Sequence, residues 1–216
     1  MKQHQVTVPK TARYFTLGEA GPATKNVWFL CHGYGQLANY FLRNFEPLND
    51  GTSLLVAPEG LHRFYVNGVS GRIGASWMTK EDRLSDISDY TGALDILYDE
   101  VMRGLPADTR IHVLGFSQGS ATVSRWLAAG SKRFDTLTLW CGFFPPDMNW
   151  EKDLARFMHS KNFIVTASQD EFISAEQEEE QLRMFREKQV PFSHLRFEGK
   201  HVIDPGMLRG MRERIV

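Results

Sequence analysis

A chain of 216 residues with 42% hydrophobic and 24% charged side chains has an ordinary globular balance, long enough to bury one sizeable core. Its 25 basic and 26 acidic side chains leave a formal charge of -1, so no single-sign field favours nucleic acid or an anionic membrane. No apolar run approaches the roughly 20 residues that span a bilayer; neither a signal peptide nor a transmembrane helix is expected, and the cytoplasm is the expected compartment.

Along the chain, residues 5 to 18 alternate in short stretches punctuated by Pro9 and Gly18, and read as an antiparallel lead-in hairpin. Near-continuous apolar runs follow at 27–31, 54–57, 111–114, 137–140 and 163–167, the pattern of strands buried on both faces. Residues 192–198 return to a period near two and predict a last strand. Helical patterns run from about Asp82 to Arg103, from Gln118 to Ala129 and from Ser174 to Lys188, the last opening on a capping box of Ser174 and Gln177. Glu176, Glu178, Glu179 and Glu180 sit where they complement the helix dipole, and read as a solvated face. Strands alternating with helices predict an α/β fold: one domain over 1–216, a mainly parallel central sheet flanked by helices, and no cap domain.

Between the second run and the first long helix, Pro58 to Ser76 reads as a long loop of the kind that borders active sites. Its Gly68, Gly71 and Gly74 are three apart, but no strand closely precedes them and no Lys-Ser or Lys-Thr follows, so a phosphate cradle is not indicated. Cys31 and Cys141 lie beside apolar residues and read as buried reduced thiols. No Cys/His cluster has metal-ligand spacing, so no metal is expected.

The chemistry centres on Gly115-Phe116-Ser117-Gln118-Gly119, a G-x-S-x-G stretch set between the strand at 111–114 and the helix from Gln118. A nucleophile elbow needs that strand-turn-helix setting, with glycines where any Cβ would collide with neighbouring chain. A serine hydroxyl is a weak nucleophile until a base takes its proton, and the base needs a carboxylate to orient it. His159, His194 and His201 are the histidines beyond Ser117. His159 falls in a charged helical stretch and His194 inside the last strand, whereas His201 stands just after that strand. Asp170 ends the preceding strand at the carboxyl edge of the sheet, where α/β sites gather; Glu171 is its neighbouring competitor. The oxyanion needs two N–H donors, and the turn Cys31-His32-Gly33-Tyr34-Gly35-Gln36 offers Tyr34 N–H beside Gln118 N–H. His32 is expected to brace that turn by hydrogen bonds.

At these residues the sequence resembles the phospholipase/carboxylesterase family of α/β-hydrolases, which includes the acyl-protein thioesterases. The likeness runs through most of the chain: an H-G-x-G turn at His32 to Gly35, a G-F-S-Q-G elbow at Gly115 to Gly119, and a later Asp and His at Asp170 and His201, with Pro58 and Trp77 also in place. The resemblance implies a Ser117–His201–Asp170 triad and oxyanion donors at the amides of Tyr34 and Gln118. The sequence departs from the family at Tyr34 for a usual leucine, at Ser120 for a second glycine, and at Trp140-Cys141-Gly142-Phe143-Phe144-Pro145-Pro146 for a leucine-serine-glycine run. An ester- or thioester-cleaving serine hydrolase is the reading that follows, with lysophospholipase, small peptidase or a non-catalytic binding homologue as alternatives. Trp77, Met78, Phe143, Phe144 and Phe172 are expected around the acyl pocket. The expected partner is a small-molecule ester or thioester, a homodimer is left open, and the chemistry requires no cofactor.

Overall fold

The computed structural model describes residues 1–130 and 132–215. In chain order its elements are β1 (Tyr14–Leu17), β2 (Asn26–Cys31), α1 (Ala38–Leu42), β3 (Ser53–Pro58), β4 (His62–Tyr65), β5 (Ile73–Ser76) and α2 (Arg83–Met102). Then follow β6 (Arg110–Phe116), α3 (Gln118–Ala129), β7 (Thr136–Trp140), α4 (Trp150–Asp153), β8 (Lys161–Ala167), α5 (Ala175–Glu187), β9 (Ser193–Phe197) and α6 (Pro205–Ile215). Seven strands form one sheet in the order β1-β3-β2-β6-β7-β8-β9, parallel throughout except for β1, which runs antiparallel to β3. Among the described residues no helix is long and apolar enough to cross a membrane.

The continuous apolar runs have a direct cause: alternate side chains of each central strand enter two separate cores. Val27, Phe29 and Cys31 of β2 pack on one face with Val56, Ile111, Val113, Leu137 and Leu139, covered by α2, α3 and α5. Trp28 and Leu30 point the other way, joining Leu55, Leu114, Trp140 and Val165 beneath α1 and α6. Side chains alternate across a strand, so a strand covered on both faces must be apolar at nearly every position. Each such buried Val, Leu or Phe contributes roughly 1.5–3 kcal/mol relative to exposure. At the β9 edge only Leu195 and Phe197 turn inward, which restores the period of two.

Several expectations need correction. Residues 5–13 form no strand, and the lead-in hairpin is replaced by a single strand, β1, whose antiparallel partner is β3. The stretch from Pro58 to Ser76 is not an irregular loop: β4 and β5 pair antiparallel within it, from His62 with Ser76 to Tyr65 with Ile73. Its glycine-rich tip connects the two strands, which is why turn residues dominated the pattern. The acidic run on α5 is not wholly solvated. Glu178 is buried and accepts from Arg196 of β9 at 3.1 Å, so this carboxylate joins helix to sheet. The capping box itself is present, with Ser174 and Gln177 each bonding the other's backbone. Helix α6 carries Leu208, Met211 and Ile215 at helical spacing into the second core.

One polar group sits inside this apolar frame. The His112 ring is buried in β6, tilted against Trp28 at 4.3 Å between centroids, with Nε2 donating to Asn26 Oδ1 at 3.0 Å and Nδ1 accepting from the Thr136 hydroxyl at 2.8 Å. Burial holds its pKa down at about 4, below the ordinary value of 6.5. The unfolded chain therefore binds one more proton than the folded one between those two values, so the contribution is complete above about pH 6.5 and lost as pH falls toward 4. The expected size is about 3 kcal/mol across that window. Urea unfolding of the parent and His112→Gln at a series of pH values tests it: the variant should lose roughly one proton's worth of slope, and identical slopes would refute it.

Candidate active site

The elbow is built by close approach. Ser117 joins β6 to α3 with φ 54 and ψ -118, a conformation that a non-glycine residue adopts only when its surroundings impose it. The surroundings are backbone. A Cβ on Gly119 would stand 2.1 Å from the Cys31 carbonyl oxygen, and one on Gly115 2.3 Å from the Gly119 carbonyl oxygen. Both are far inside contact distance, so α3 can seat against β2 only with glycine at these places. Ser117 N–H donates to Trp140 O at 2.9 Å, and Ser117 O accepts from Ser120 N–H at the same distance. Ser120, the departure from a second glycine, donates its hydroxyl to Gly115 O at 2.7 Å. The space is supplied across the site by Gly142, where a Cβ would meet that hydroxyl at 2.6 Å.

The turn after β2 passes directly over the elbow, since a Cβ on Gly33 would stand 3.2 Å from the Cβ of Ser117. His32 locks this turn from beneath. Its Nδ1 donates to Gly33 O at 2.8 Å and its Nε2 accepts from Gly60 N–H at 2.9 Å, which defines a neutral imidazole. Burial lowers its pKa, keeping that form. Gln36 Oε1 accepts from Gly33 N–H, and Gly35 N–H donates to Ala75 O, tying the turn to β5. The Tyr34 backbone thus lies next to the elbow, while its side chain is 61% exposed and packs at a tilt against Phe64, 5.2 Å between centroids. Gln118 opens α3, where the first N–H groups have no intrahelical partner. Its side chain is held by Met78 O, which accepts from Nε2 at 3.0 Å, and by Trp77 N–H, which donates to Oε1 at 3.2 Å.

Asp170 and His201 meet at the same edge of the sheet. His201 Nδ1 donates to Asp170 Oδ2 at 2.8 Å and lies 3.0 Å from Oδ1. Asp170 Oδ1 also accepts from the N–H groups of Phe172 and Ile173, at 2.9 and 3.1 Å, so the carboxylate is held on both sides. The two side chains are 4% and 10% exposed respectively. The loop that carries His201 is fastened by Gln169 N–H to Gly199 O and by Trp140 Nε1 to Val202 O. The imidazole lies between the rings of Phe116 and Phe172, at 4.9 and 4.8 Å. Of the competitors, Glu171 and His159 are exposed, and His194 Nε2 bonds Thr166 Oγ1 on β8.

The five aromatic and methionine positions separate into two groups. Phe172 is 70% exposed against His201, and Phe143 and Met78 are half-buried. Trp77 and Phe144, by contrast, belong to the core, which corrects their expected place around a pocket. Phe144 is 3% exposed and wedged among Trp150, Phe157 and Phe185, and Trp77 donates its indole N–H to His32 O. A loop position after a strand does not tell whether a ring turns out to the cleft or back into the core. The β7–α4 connection that carries Phe143 and Phe144 is clamped by Asp147, which accepts from Arg125 at 2.7 Å and from Arg83 at 2.8 Å. The Arg125 guanidinium holds the Asp147 carboxyl down at about 2.

Cys141 is a buried free thiol, and the fold brings polar groups far away in sequence against it. Its Sγ, a carboxylate oxygen of Asp170 and a ring nitrogen of His201 lie within 4.8 Å of one another. Burial, reinforced by the Asp170 carboxylate, pushes the thiol well above the ordinary range. The backbone at Cys141 is left-handed, φ 44, and its N–H donates to Val165 O at 2.8 Å. Cys31 is also free and buried, inside β2.

No family model and no curated protein sequence matches the chain. Solved structures do. The carboxylesterase of Mesorhizobium loti superposes with a TM-score of 0.74 at 19% identity, covering 94% of each chain. The Bacillus cereus carboxylesterase gives 0.71 at 16% identity, over 94% of this chain and 93% of that one. Zea mays acyl-protein thioesterase 2 gives 0.70 at 14% identity, over 95% of this chain and all of that one. At such identities the likeness is one of architecture, and with the parallel sheet and the strained serine turn between β6 and α3 it shows that this chain has the α/β-hydrolase fold.

Proposed function

We propose that the protein is a serine hydrolase that cleaves carboxylic esters or thioesters of short or medium acyl chains through an acyl-enzyme. The observation that carries this reading is a strained serine elbow at one sheet edge beside a paired imidazole and carboxylate, with the His201 ring 4.9 Å from the ring of Phe116, the residue before Ser117. In the proposed reaction His201 Nε2 takes the Ser117 proton as Oγ attacks the carbonyl carbon. Asp170 holds Nδ1–H and stabilises the imidazolium. The amides of Tyr34 and Gln118 bind the oxyanion, worth about 10²–10³ in rate for each donor. The imidazolium then protonates the leaving alcohol or thiol, and water enters with His201 again as base. The carboxylesterase and thioesterase names of the structural neighbours support the same class. The whole chain acts as one domain in this reading.

Ser117→Ala is expected to lower kcat about ten-thousandfold or more with the fold intact by circular dichroism. Activity within tenfold of the parent would sink the nucleophile assignment. Asp170→Asn should cost about a thousandfold or more by losing the carboxylate that sets the tautomer of His201, whereas Glu171→Gln, on an exposed side chain, should stay within about twofold. The reverse ranking would transfer the role to Glu171.

The proposed acyl site is an open cleft walled by Met78, Phe143 and Phe172. Each buried methylene is worth roughly 0.8 kcal/mol, so kcat/KM should climb about fourfold per added carbon until the cleft is filled, then level or fall. p-Nitrophenyl esters from acetate to palmitate measure this, and a steady rise to palmitate would refute the cleft. Phe143→Ala should move the optimum to longer chains. Phe144→Ala should instead destabilise the fold by about 3–5 kcal/mol without that shift, because its ring is core.

A further inference from the structure

We propose that Cys141, Asp170 and His201 together bind one soft divalent cation of the zinc or cadmium class, and that occupancy arrests hydrolysis. The arrest, though not the binding, rests on His201 being the catalytic base. The three donor atoms lie within 4.8 Å of one another. Thiolate, carboxylate and imidazole bind zinc at about 2.3, 2.1 and 2.0 Å, so in a tetrahedral site they stand roughly 3.5 Å apart. Closing the set therefore takes movements of about 1 Å.

The donors are already aimed. Cys141 is fixed by its N–H bond to Val165 O, and Gly142 behind it is pressed against the elbow, where even a Cβ would come within 2.5 Å of Ser117 O. Asp170 is held by the amides of Phe172 and Ile173, and the His201 ring by Phe116 and Phe172. One sulfur, one nitrogen and one oxygen select a borderline-soft ion. Magnesium and calcium, which take six or more oxygen donors, are poorly served.

Binding changes protons and no oxidation state. The Cys141 thiol proton leaves to solvent as sulfur joins the metal. The nitrogen facing Asp170 is Nδ1, which now carries a proton; that proton is given up to solvent while Nε2 takes one, leaving the Nδ1 lone pair for the metal. The net release is one proton. Nε2 then carries hydrogen and cannot accept the proton of Ser117, so the bound ion holds the imidazole in the inactive tautomer.

Titration of the protein with cadmium chloride, read by the cadmium–thiolate charge-transfer absorbance without substrate and in parallel by p-nitrophenyl ester hydrolysis, tests this. The wild type and Cys31→Ala should develop the band at one equivalent, and Cys141→Ser and Cys141→Ala should not. Zinc should compete and erase it. Relative to each protein's own metal-free rate, hydrolysis should fall by about tenfold or more at saturation in the wild type and by less than about twofold in Cys141→Ser. A band that survives Cys141→Ser, or fails to form in the wild type at millimolar cadmium, would overturn the site. A full band with hydrolysis unimpaired would overturn the arrest. If hydrolysis proved indifferent to Ser117→Ala, the catalytic reading would fall while the band remained.

Discussion

The approach of α3 to β2 through Gly119 is the contact on which the rest of the site depends. With the Cys31 carbonyl oxygen 2.1 Å from where a Cβ would stand, the helix start can lie against the strand only as bare backbone. That approach forces the chain between β6 and α3 into a turn too sharp for ordinary dihedrals, and the strain falls on Ser117 at φ 54. Such strain costs of order 1–3 kcal/mol and persists only where packing over-determines it. Here the fixing comes from Trp140 O, Ser120 N–H and the two buried cores on either side of β6.

From this constraint the remaining geometry follows along the carboxyl edge of the sheet. β2, β6, β8 and β9 are parallel, so the segments after them, carrying Tyr34, Ser117, Asp170 and His201, emerge on the same side. Hydrogen bonds between those segments then set the distances. Gln169 N–H reaches Gly199 O, the Trp140 indole reaches Val202 O, and His32 bridges the turn after β2 to Gly60. Of the side chains that do this, Trp140 and His32 are buried and neutral. The departures from the resembled family are also mutually adjusted: Ser120 bonds Gly115 O in the space that Gly142 leaves open.

The wall of the proposed cleft is rigid for a different reason. Asp147 gathers Arg83 from α2 and Arg125 from α3, while Gln181 of α5 accepts from Phe144 N–H, so the connection after β7 is tied to three helices. Arg125 and Gln118 lie two turns apart on one face of α3, and both reach Met78, so the clamp and the proposed oxyanion donor share a neighbour. The same connection begins at Cys141, which puts a thiol beside the Asp170–His201 pair.

The strand order of polar and apolar residues was enough to predict the parallel sheet, because strands covered on both faces cannot hide their uniform apolarity. The places in the fold of Ser117, Asp170 and His201, proposed above as the catalytic residues, were legible for a related reason. Each sits at a strand's carboxyl end, and the elbow's two glycines record a backbone collision that no other residue survives. The capping box at Ser174 was equally local. The hairpin of β4 and β5 was hidden by its glycine-rich tip, and the missing lead-in hairpin by the fact that alternation does not name a partner strand. Whether Phe144 and Trp77 turned inward, and that Cys141 would meet Asp170 and His201, depended on the direction of side chains across elements far apart in the chain. Only tertiary packing decides such directions, since a residue's own neighbours in sequence fix its place on an element but not what the rest of the fold brings against it.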